Sequence, residues 1–375
     1  MGVRVVICLN TAWNLFNFRA GLIRAMVAQG HEVVAVAPPD AYAVRLAELG
    51  CRFVPLHMEN GGTHPGRDAL LWWRFLRLFA RERPDVYLGY TVKPNVYGSL
   101  AARVLGIPVI NNIAGLGAVF IQDGWLVRLV RGLYRMALRP AAKVFFQNDD
   151  DRQLFITGGL VQAAATELLP GSGIDLARFA LTAPPVPGGK FRFLLIARML
   201  WDKGVGEYVE AARLLQARCP QAECCLLGFV DVKNPAAVSS AQMDDWVAQG
   251  VVRYLGSSDD VRAHIAQADC IVLPSYREGT PRTLLEAAAM GRPIITTNAV
   301  GCREVVDDGR NGFLCQVRSA TDLADKMAQM VALPPEQRQA MGLAGRAKMV
   351  AEFDEQIVIT KYLAAIAGIV AGPKA

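Results

Sequence analysis

Several common kinds of site are missing from this 375-residue sequence. Its eight cysteines form no C-x-x-C pair, and none of its four histidines stands at a spacing typical of metal ligands. The cysteines lie mostly inside apolar runs, as expected of buried thiols in a reducing cytoplasm. No apolar run approaches the roughly 18 residues that a membrane-spanning helix needs, and the start turns polar by Asn10, too early for a signal peptide. We therefore expect no metal, no cofactor and no spanning helix.

The positive charge is confined to one half of the sequence. Of the net charge of +6, residues 1–180 hold 19 Lys and Arg against 13 Asp and Glu, whereas residues 181–375 hold 21 against 21. This asymmetry indicates that the first half meets an anion such as a phosphate group, a lipid headgroup layer or nucleic acid. No recognised nucleic-acid-binding motif appears, so we expect no nucleic-acid partner.

Short apolar runs alternate with helical segments through both halves, which predicts α/β architecture with open, mostly parallel sheets. With 53% hydrophobic residues the chain can fill two cores. We expect two Rossmann-like, doubly wound domains facing a central cleft, where ligands meet the carboxyl ends of the strands. The predicted divisions are an N-terminal domain at 1–180, a Pro- and Gly-rich linker at 181–190, a C-terminal domain at 191–353, and a helix at 354–375 that packs back on the N-terminal domain.

A pair of glutamates lies on either side of a predicted helix start. After a buried strand at 270–274, Thr280 is expected to be the N-cap of a helix over 281–290. The first-turn amides of Thr283 and Leu284 would then point out of the sheet edge, where they favour a phosphate. Glu286 lies about one turn further along, where ribose hydroxyls would satisfy its carboxylate, and Glu278 on the preceding loop would reach the sugar.

An alternative interpretation needs no ligand. Glu286 would be a solvated helix residue paired with Arg282 four positions earlier, and Glu278 would be a surface charge. Two cations after the strand predicted at 191–197 favour the functional interpretation. Arg198 and Lys203 suit a diphosphate leaving group, on which charge accumulates as the sugar–phosphate bond breaks.

These residues resemble motifs of the family 4 retaining glycosyltransferases, which have the two-domain GT-B fold. The E-x7-E signature matches Glu278 and Glu286, and the R-x4-K pair matches Arg198 and Lys203. Further landmarks are Gly228 in CLLGF, GSGID at 171–175 and GCREVVDDGRNGFL at 301–314. The resemblance implies retention of configuration, no obligate metal, a donor site in the C-terminal domain and an acceptor site in the N-terminal domain. It also implies that the second glutamate binds the ribose and the first contacts the donor sugar.

The acceptor site is expected in loops of the first half that follow predicted strands. Family members often carry two glycines after the first strand, and this chain has none there, so a close approach of that backbone to the donor phosphate is in doubt. The two asparagines of that loop could equally cap a helix at 18–29. The predicted acceptor residues are Asn14, Asn17, Arg19, Lys93, Asn95, Gly115 and Gly117.

Two predicted helices of the first half are basic and amphipathic, at residues 67–83 and 124–143. Such helices suit the surface of an anionic membrane, although a core-facing helix with solvated arginines gives the same pattern. The predicted membrane residues are Trp72, Trp73, Arg74, Arg77, Arg128, Arg131, Arg135 and Arg139. They would hold the protein at the inner face of the cell membrane, on the cytoplasmic side.

More narrowly, NFR at 17–19, VKPNVYGSLAAR, ARMLWDKGV and LPSYREGTPRTLLEA resemble bacterial enzymes that extend undecaprenyl-diphosphate-linked sugars. The resemblance implies transfer of an N-acetylhexosamine, N-acetylgalactosamine being the first choice, from a UDP-sugar donor to a polyprenyl-diphosphate-linked sugar acceptor in glycan synthesis. Two alternatives stay open: a UDP-sugar 2-epimerase of the same architecture, and a non-catalytic, membrane-bound assembly factor. A formal D-x-D at 149–151 precedes a predicted helix, so helix capping explains it better than a metal site does.

Overall fold

The computed structural model describes residues 2–59, 64–115, 125–185, 188–232 and 234–372. The chain forms two compact units, Met1–Ser172 with Glu355–Ala375, and Gly173–Asp354. The second unit therefore begins before the predicted linker. The reason is that Ile174 and Phe179 are buried in the hydrophobic core of that unit.

The first unit is built on a seven-stranded parallel sheet with strand order β3-β2-β1-β4-β5-β6-β7. The strands are β1 (Arg4–Cys8), β2 (Glu32–Ala37), β3 (Arg52–Pro55), β4 (Val86–Tyr90), β5 (Val109–Ile113), β6 (Lys143–Phe146) and β7 (Thr166–Leu168). Its helices are α1 (Ala12–Ala28), α2 (Pro65–Glu82), α3 (Ser99–Val104), α4 (Trp125–Leu138), α5 (Asp149–Thr157) and α12 (Glu355–Ala371).

Both faces of this sheet are covered, which explains why its strands read as nearly continuous apolar runs. One face packs on α1 and α12, and the other packs on α2 and α3. Helix α12 buries Val358, Ile359, Tyr362 and Ile366 in the first of these cores, so it is part of the first unit although it follows the second unit in sequence.

The second unit is built on a six-stranded parallel sheet with order β10-β9-β8-β11-β12-β13. The strands are β8 (Phe191–Ile196), β9 (Ala222–Leu227), β10 (Arg253–Tyr254), β11 (Cys270–Leu273), β12 (Ile294–Thr297) and β13 (Gly312–Cys315). Its helices are α6 (Val205–Arg218), α7 (Ser240–Ala248), α8 (Arg262–Ala266), α9 (Arg282–Ala289), α10 (Ala320–Ala332) and α11 (Pro335–Glu352).

The strand order reverses once in each sheet, between β1 and β4 and between β8 and β11. Parallel strands end at the same edge, so the loops after β1 and β4 are neighbours, as are those after β8 and β11. Such reversal points are where doubly wound sheets bind ligands. We call these places the first and the second switch point.

Two elements differ from the predictions. Helix α1 begins at Ala12, six residues before the predicted start, because the Thr11 side chain caps it by accepting the Asn14 amide. The asparagines therefore lie inside the helix rather than at its cap. Strand β7 was not predicted, since three residues containing Glu167 give little apolar signal. Among the described residues, no helix combines the length and apolarity needed to cross a bilayer.

Candidate active site

At the second switch point, the lysine of one motif contacts the glutamate of the other. Lys203 lies after β8 and Glu278 lies after β11, and Lys203 Nζ is 2.5 Å from Glu278 Oε1. Ser275 Oγ donates to the same oxygen at 2.8 Å. The Lys203 and Glu278 side chains are each 16% exposed, so the pair is largely shielded from water yet accessible to a ligand.

Glycines allow these loops to meet. Gly204 has φ +72°, and a Cβ there would lie 2.1 Å from the Pro274 carbonyl oxygen. Gly301 has φ +87°, and a Cβ there would lie 2.3 Å from the carbonyl oxygen of Glu278. A side chain at position 204 would push the Lys203 loop away from Pro274, and one at position 301 would displace the backbone of Glu278, so the position of the ion pair depends on both glycines.

Arg198 and Gly228 follow the neighbouring strands β8 and β9. Arg198 is exposed, and its guanidinium has no hydrogen-bond or ion-pair partner in the described part of the chain. Gly228 has φ +148°, and a Cβ there would lie 1.7 Å from the Ala197 carbonyl oxygen. Gly228 is therefore required for the close approach of the β9 end to the β8 end, next to Arg198. Its predicted contact with the donor stays a prediction.

The second glutamate is nearly buried and charge-paired. The Glu286 side chain is 12% exposed, and its Oε1 lies 3.0 Å from Arg282 Nε. Burial raises the pKa of the Glu286 carboxyl, and the positive charge of Arg282 acts in the opposite direction. The alternative interpretation without a ligand correctly predicted Arg282 as the partner of Glu286. It was wrong that the Glu286 carboxylate is a solvated surface group.

The start of α9 corrects two expectations. The N-cap is Pro281, without a side-chain hydrogen bond, so Thr280 is not the cap. The Leu284 amide donates to the Pro281 carbonyl at 3.0 Å and is already engaged, contrary to the expectation that it is free for a phosphate. Thr283 lies in the first turn as expected, and its hydroxyl donates to the Ile196 carbonyl at 3.1 Å, which ties the helix start to the end of β8.

Glu304 is a candidate ligand-binding residue that the sequence did not single out. It comes three residues after Gly301, which packs against Glu278, and its Oε2 is buried without a hydrogen-bond partner among the described residues. A buried carboxylate oxygen without a donor is costly, and a ligand hydroxyl would satisfy it. The only signal in the sequence was the GCREVVDDG run at 301–309, where nothing distinguishes this glutamate from its charged neighbours.

The predicted acceptor residues on α1 have protein partners. Asn14 Nδ2 donates to Asn10 Oδ1 at 2.8 Å, and Asn17 Nδ2 donates to the Trp13 carbonyl at 3.1 Å. Arg19 is buried, with its guanidinium 4.5 Å from the centre of the Tyr90 ring. Its Nε has no hydrogen-bond partner in the described structure.

The residues after β4 and β5 are also engaged. Lys93 Nζ lies 2.9 Å from Asp68 Oδ1 in a largely buried ion pair. Asn95 is 1% exposed, donates to the Asn112 carbonyl at 2.8 Å and accepts from Asn111, so it holds the loop against β5 from the interior. Gly115 follows β5 with φ +135°, and Gly117 lies outside the described residues. The acceptor-binding roles of Arg19 and Lys93 stay predictions.

The two basic helices differ in how their arginines are used. On α2, Arg74 donates to the His57 carbonyl at 2.8 Å and Arg77 stacks 4.8 Å from Trp73, while Trp72 is half-buried. On α4 the arginines are exposed, and none has an acidic partner in the described structure. Leu129 and Met136, each 50% exposed, lie on the same helix. The exposed arginines of α4 are Arg128, Arg131 and Arg135, and the exposed Arg139 directly follows the helix.

No group of His, Cys, Asp or Glu side chains suitable for a metal ion occurs within the described ranges. The D-x-D at 149–151 forms the first turn of α5, where Asn148 is the cap and the acidic residues compensate the helix dipole. All eight cysteines are buried free thiols.

Two family descriptions match the chain. "Glycosyl transferase 4-like domain" matches residues 18–171, and "Glycosyl transferases group 1" matches residues 190–332. A Campylobacter jejuni relative, N,N'-diacetylbacillosaminyl-diphospho-undecaprenol alpha-1,3-N-acetylgalactosaminyltransferase, is 27% identical and covers 93% of this chain and 94% of its own. An Escherichia coli relative, UDP-Gal:alpha-D-GlcNAc-diphosphoundecaprenol alpha-1,3-galactosyltransferase, is 22% identical and covers 74% of each chain.

Solved structures share the fold at low identity. Anabaena HepE, crystallised with UDP and glucose, aligns with a TM-score of 0.77 and 18% identity over 98% of this chain and 100% of that one. Sucrose-phosphate synthase of Thermosynechococcus elongatus aligns with a TM-score of 0.81 and 17% identity over 98% and 99%.

The two doubly wound parallel sheets and the two family matches identify a glycosyltransferase of the GT-B fold. The chain belongs to the family 4 glycosyltransferases, as its motifs predicted. Of the three functional alternatives, the comparisons support the transferase.

Proposed function

We propose that the protein transfers an N-acetylhexosamine, with N-acetylgalactosamine as first choice, from a UDP-sugar to an undecaprenyl-diphosphate-linked sugar in glycan synthesis. The observation that carries the donor half is the Lys203–Glu278 ion pair, with exposed Arg198 on the same β8 loop. The acceptor half rests on the Campylobacter jejuni relative, which matches nearly the whole chain and whose name gives such an acceptor.

The chemistry assigns a task to each charged group. During transfer the bond from the sugar C1 to the UDP oxygen breaks, and its electron pair leaves on the diphosphate. An acceptor hydroxyl oxygen bonds to C1, and its proton passes to the oxygen of the departing diphosphate. Arg198 has no partner among the described residues, so it supplies an uncompensated positive charge to the leaving diphosphate, and Lys203 adds a second cation. Glu286 accepts the ribose hydroxyls, and Glu278, held by Lys203 and Ser275, faces the sugar.

The donor assignment is tested with Glu286→Ala, assayed for sugar transfer from UDP-N-acetylgalactosamine to a lipid-diphosphate-linked N-acetylhexosamine. We expect UDP affinity to fall by about tenfold or more, because the ribose loses a charged hydrogen-bond acceptor. Glu210→Ala, an exposed glutamate on α6, is the matched control and leaves binding unchanged. Unaltered transfer by Glu286→Ala would refute the donor site. An epimerised donor without transfer would refute the reaction.

The proposed location is the cytoplasmic face of the cell membrane, with α4 against the lipid headgroups. Its three arginines and the adjacent Arg139 are exposed and have no acidic partner in the described structure, and Leu129 and Met136 add exposed apolar surface. That combination favours an anionic bilayer. On α2, Trp73 and Arg77 add an exposed aromatic and basic surface for the headgroups. Trp72 and Arg74 contribute less to membrane binding because they pack on the protein.

Vesicle sedimentation tests this location. The variant with Arg128, Arg131 and Arg135 all changed to Glu is expected to lose binding to phosphatidylglycerol vesicles. The control carries the same charge change on the second unit, at Arg213, Arg218 and Arg310, and is expected to sediment like the unmodified protein. Equal sedimentation of both variants would exclude α4 as the membrane contact.

A further inference from the structure

A partly exposed tryptophan lies at the first switch point. Trp13 is in the first turn of α1, directly after the β1 loop, and is 37% exposed. Phe18 meets its ring edge-on at 5.1 Å between centroids, and Tyr42, from the loop after β2, does so at 6.4 Å. An indole held on two sides by other rings is fixed in orientation while part of it stays open to a ligand.

The same helix start is closed to anions. The Trp13 amide donates to Asp40 Oδ2 at 3.0 Å, and the Asn14 amide donates to Thr11 Oγ1 at 3.0 Å. Asp40 Oδ1 also accepts the Tyr42 amide at 2.8 Å, so its carboxylate is fixed beside the first turn. These two amides of the first helical turn would otherwise favour a phosphate, but both already donate to protein oxygens. The negative charge of Asp40 lies next to them.

Neutral polar groups surround the indole instead. Asn14 and Asn17 each commit an amide donor within the protein, to Asn10 Oδ1 and to the Trp13 carbonyl. Their Oδ1 atoms have no partner in the described structure, so they remain acceptors for ligand hydroxyls or an N-acetyl N–H. A fixed aromatic face with neutral hydrogen-bonding groups beside it matches a sugar ring, which presents C–H groups on its face and hydroxyls at its rim.

We infer that Trp13 stacks on a neutral sugar ring of the acceptor, and that Asn14 and Asn17 bind the rim of that ring. The inference rests on the proposed function and sharpens it. The acceptor contact at this helix start is with uncharged sugar. Trp13 is thus a specificity-determining residue, and a negatively charged sugar is disfavoured there because the Asp40 carboxylate contacts the Trp13 amide.

The test compares Trp13→Ala with Trp13→Phe, using UDP-N-acetylgalactosamine as donor and undecaprenyl-diphosphate-linked N-acetylglucosamine as acceptor. We expect Trp13→Ala to raise the acceptor KM by about tenfold, the loss of one stacking contact, and Trp13→Phe to raise it by less than about threefold. Asn17→Ala is expected to raise the same KM by a smaller factor. The UDP affinity of all three variants is measured alongside, so that a loss of fold is distinguished from a loss of acceptor binding.

A Trp13→Ala enzyme with an unchanged acceptor KM would overturn the inference. Failure of the proposed function looks different, because the unmodified protein would then transfer no sugar at all. In that event quenching of tryptophan fluorescence by free N-acetylglucosamine decides the question. A signal present in the unmodified protein and absent from Trp13→Phe supports the subsite, and equal signals in both refute it.

Discussion

The two switch points have the same strand order and opposite surface chemistry. At the second, glycines bring backbone loops together, Arg198 is exposed with no partner in the described parts of the chain, and Lys203 contacts Glu278. At the first, the loop after β1 has no glycine, Asp40 and Thr11 occupy helix amides, and an indole is exposed. One sheet topology can therefore bind a charged diphosphate at one switch point and a neutral sugar ring at another. The residues of the loops determine which kind of ligand binds.

The sharpest test of this contrast compares the lysine at each edge. We expect Lys203→Met to lower kcat by about 10² to 10³-fold, because a cation that stabilises the leaving diphosphate is lost. Lys93→Met, in the largely buried pair with Asp68, is expected to leave acceptor-independent donor hydrolysis within about threefold of the unmodified rate. Release of UDP measures both. Equal loss of donor hydrolysis in the two variants would show that the edges are not specialised.

The second prediction concerns backbone packing. Gly228→Ala places a Cβ against the Ala197 carbonyl at a φ that Ala rarely adopts, so we expect a loss of about 3 kcal/mol or more in the free energy of unfolding. Gly106→Ala, in the first unit at φ +67° with open space around it, is expected to cost about 1 kcal/mol. Urea denaturation measures the free energy of unfolding of both variants. Similar losses in the two variants would contradict the close approach of Gly228 to the Ala197 carbonyl.

The third prediction uses the raised pKa of Glu286, whose ordinary value is 4.5. A raised folded-state pKa means that the contribution to stability is full below about 4.5 and is lost as pH rises through the folded pKa. Arg282→Gln removes the opposing charge and raises the pKa of Glu286 further. The variant should therefore lose more stability between pH 5 and 8 than the unmodified protein, and its UDP binding should begin to weaken at a higher pH during acidification.

The pH dependence predicted for Arg282→Gln is checked by melting temperatures and UDP titrations over the range of about pH 5 to 8. Arg310→Gln, at an exposed arginine of the same unit, is the control and should follow the unmodified protein at every pH. A pH dependence of Arg282→Gln identical to that of the control would show that Arg282 does not govern the charge of Glu286.

The smallest expected effect is at the first edge. Asp40→Ala removes the acceptor of the Trp13 and Tyr42 amides, and we expect a loss of about 1 kcal/mol, as for a helix cap. Asp40→Asn keeps an acceptor oxygen and should retain most of that stability. Chemical denaturation measures both variants. If Asp40→Ala is as stable as the unmodified protein, the carboxylate does not close the helix start.

Local sequence predicted the strands well and the long-range polar contacts poorly. Buried parallel strands are uninterrupted apolar runs, so β8 and β11 appear where expected. The Arg282–Glu286 pair was foreseen because both residues lie on one helix. The contact between Lys203 and Glu278 joins residues 75 positions apart, and the Asp40 contact with the Trp13 amide spans 27. Only the sheet topology brings these groups together, and no local pattern encodes that.

The placement of α12 has a consequence for synthesis. The second unit is one continuous segment, and its two ends lie side by side, with the Ile174 amide donating to the Phe353 carbonyl at 2.8 Å. All of its residues are translated before Tyr362 is, yet Tyr362 fills the core of the first unit and accepts a hydrogen bond from Asn112 at 3.0 Å. The half of the chain that is translated first is therefore completed last.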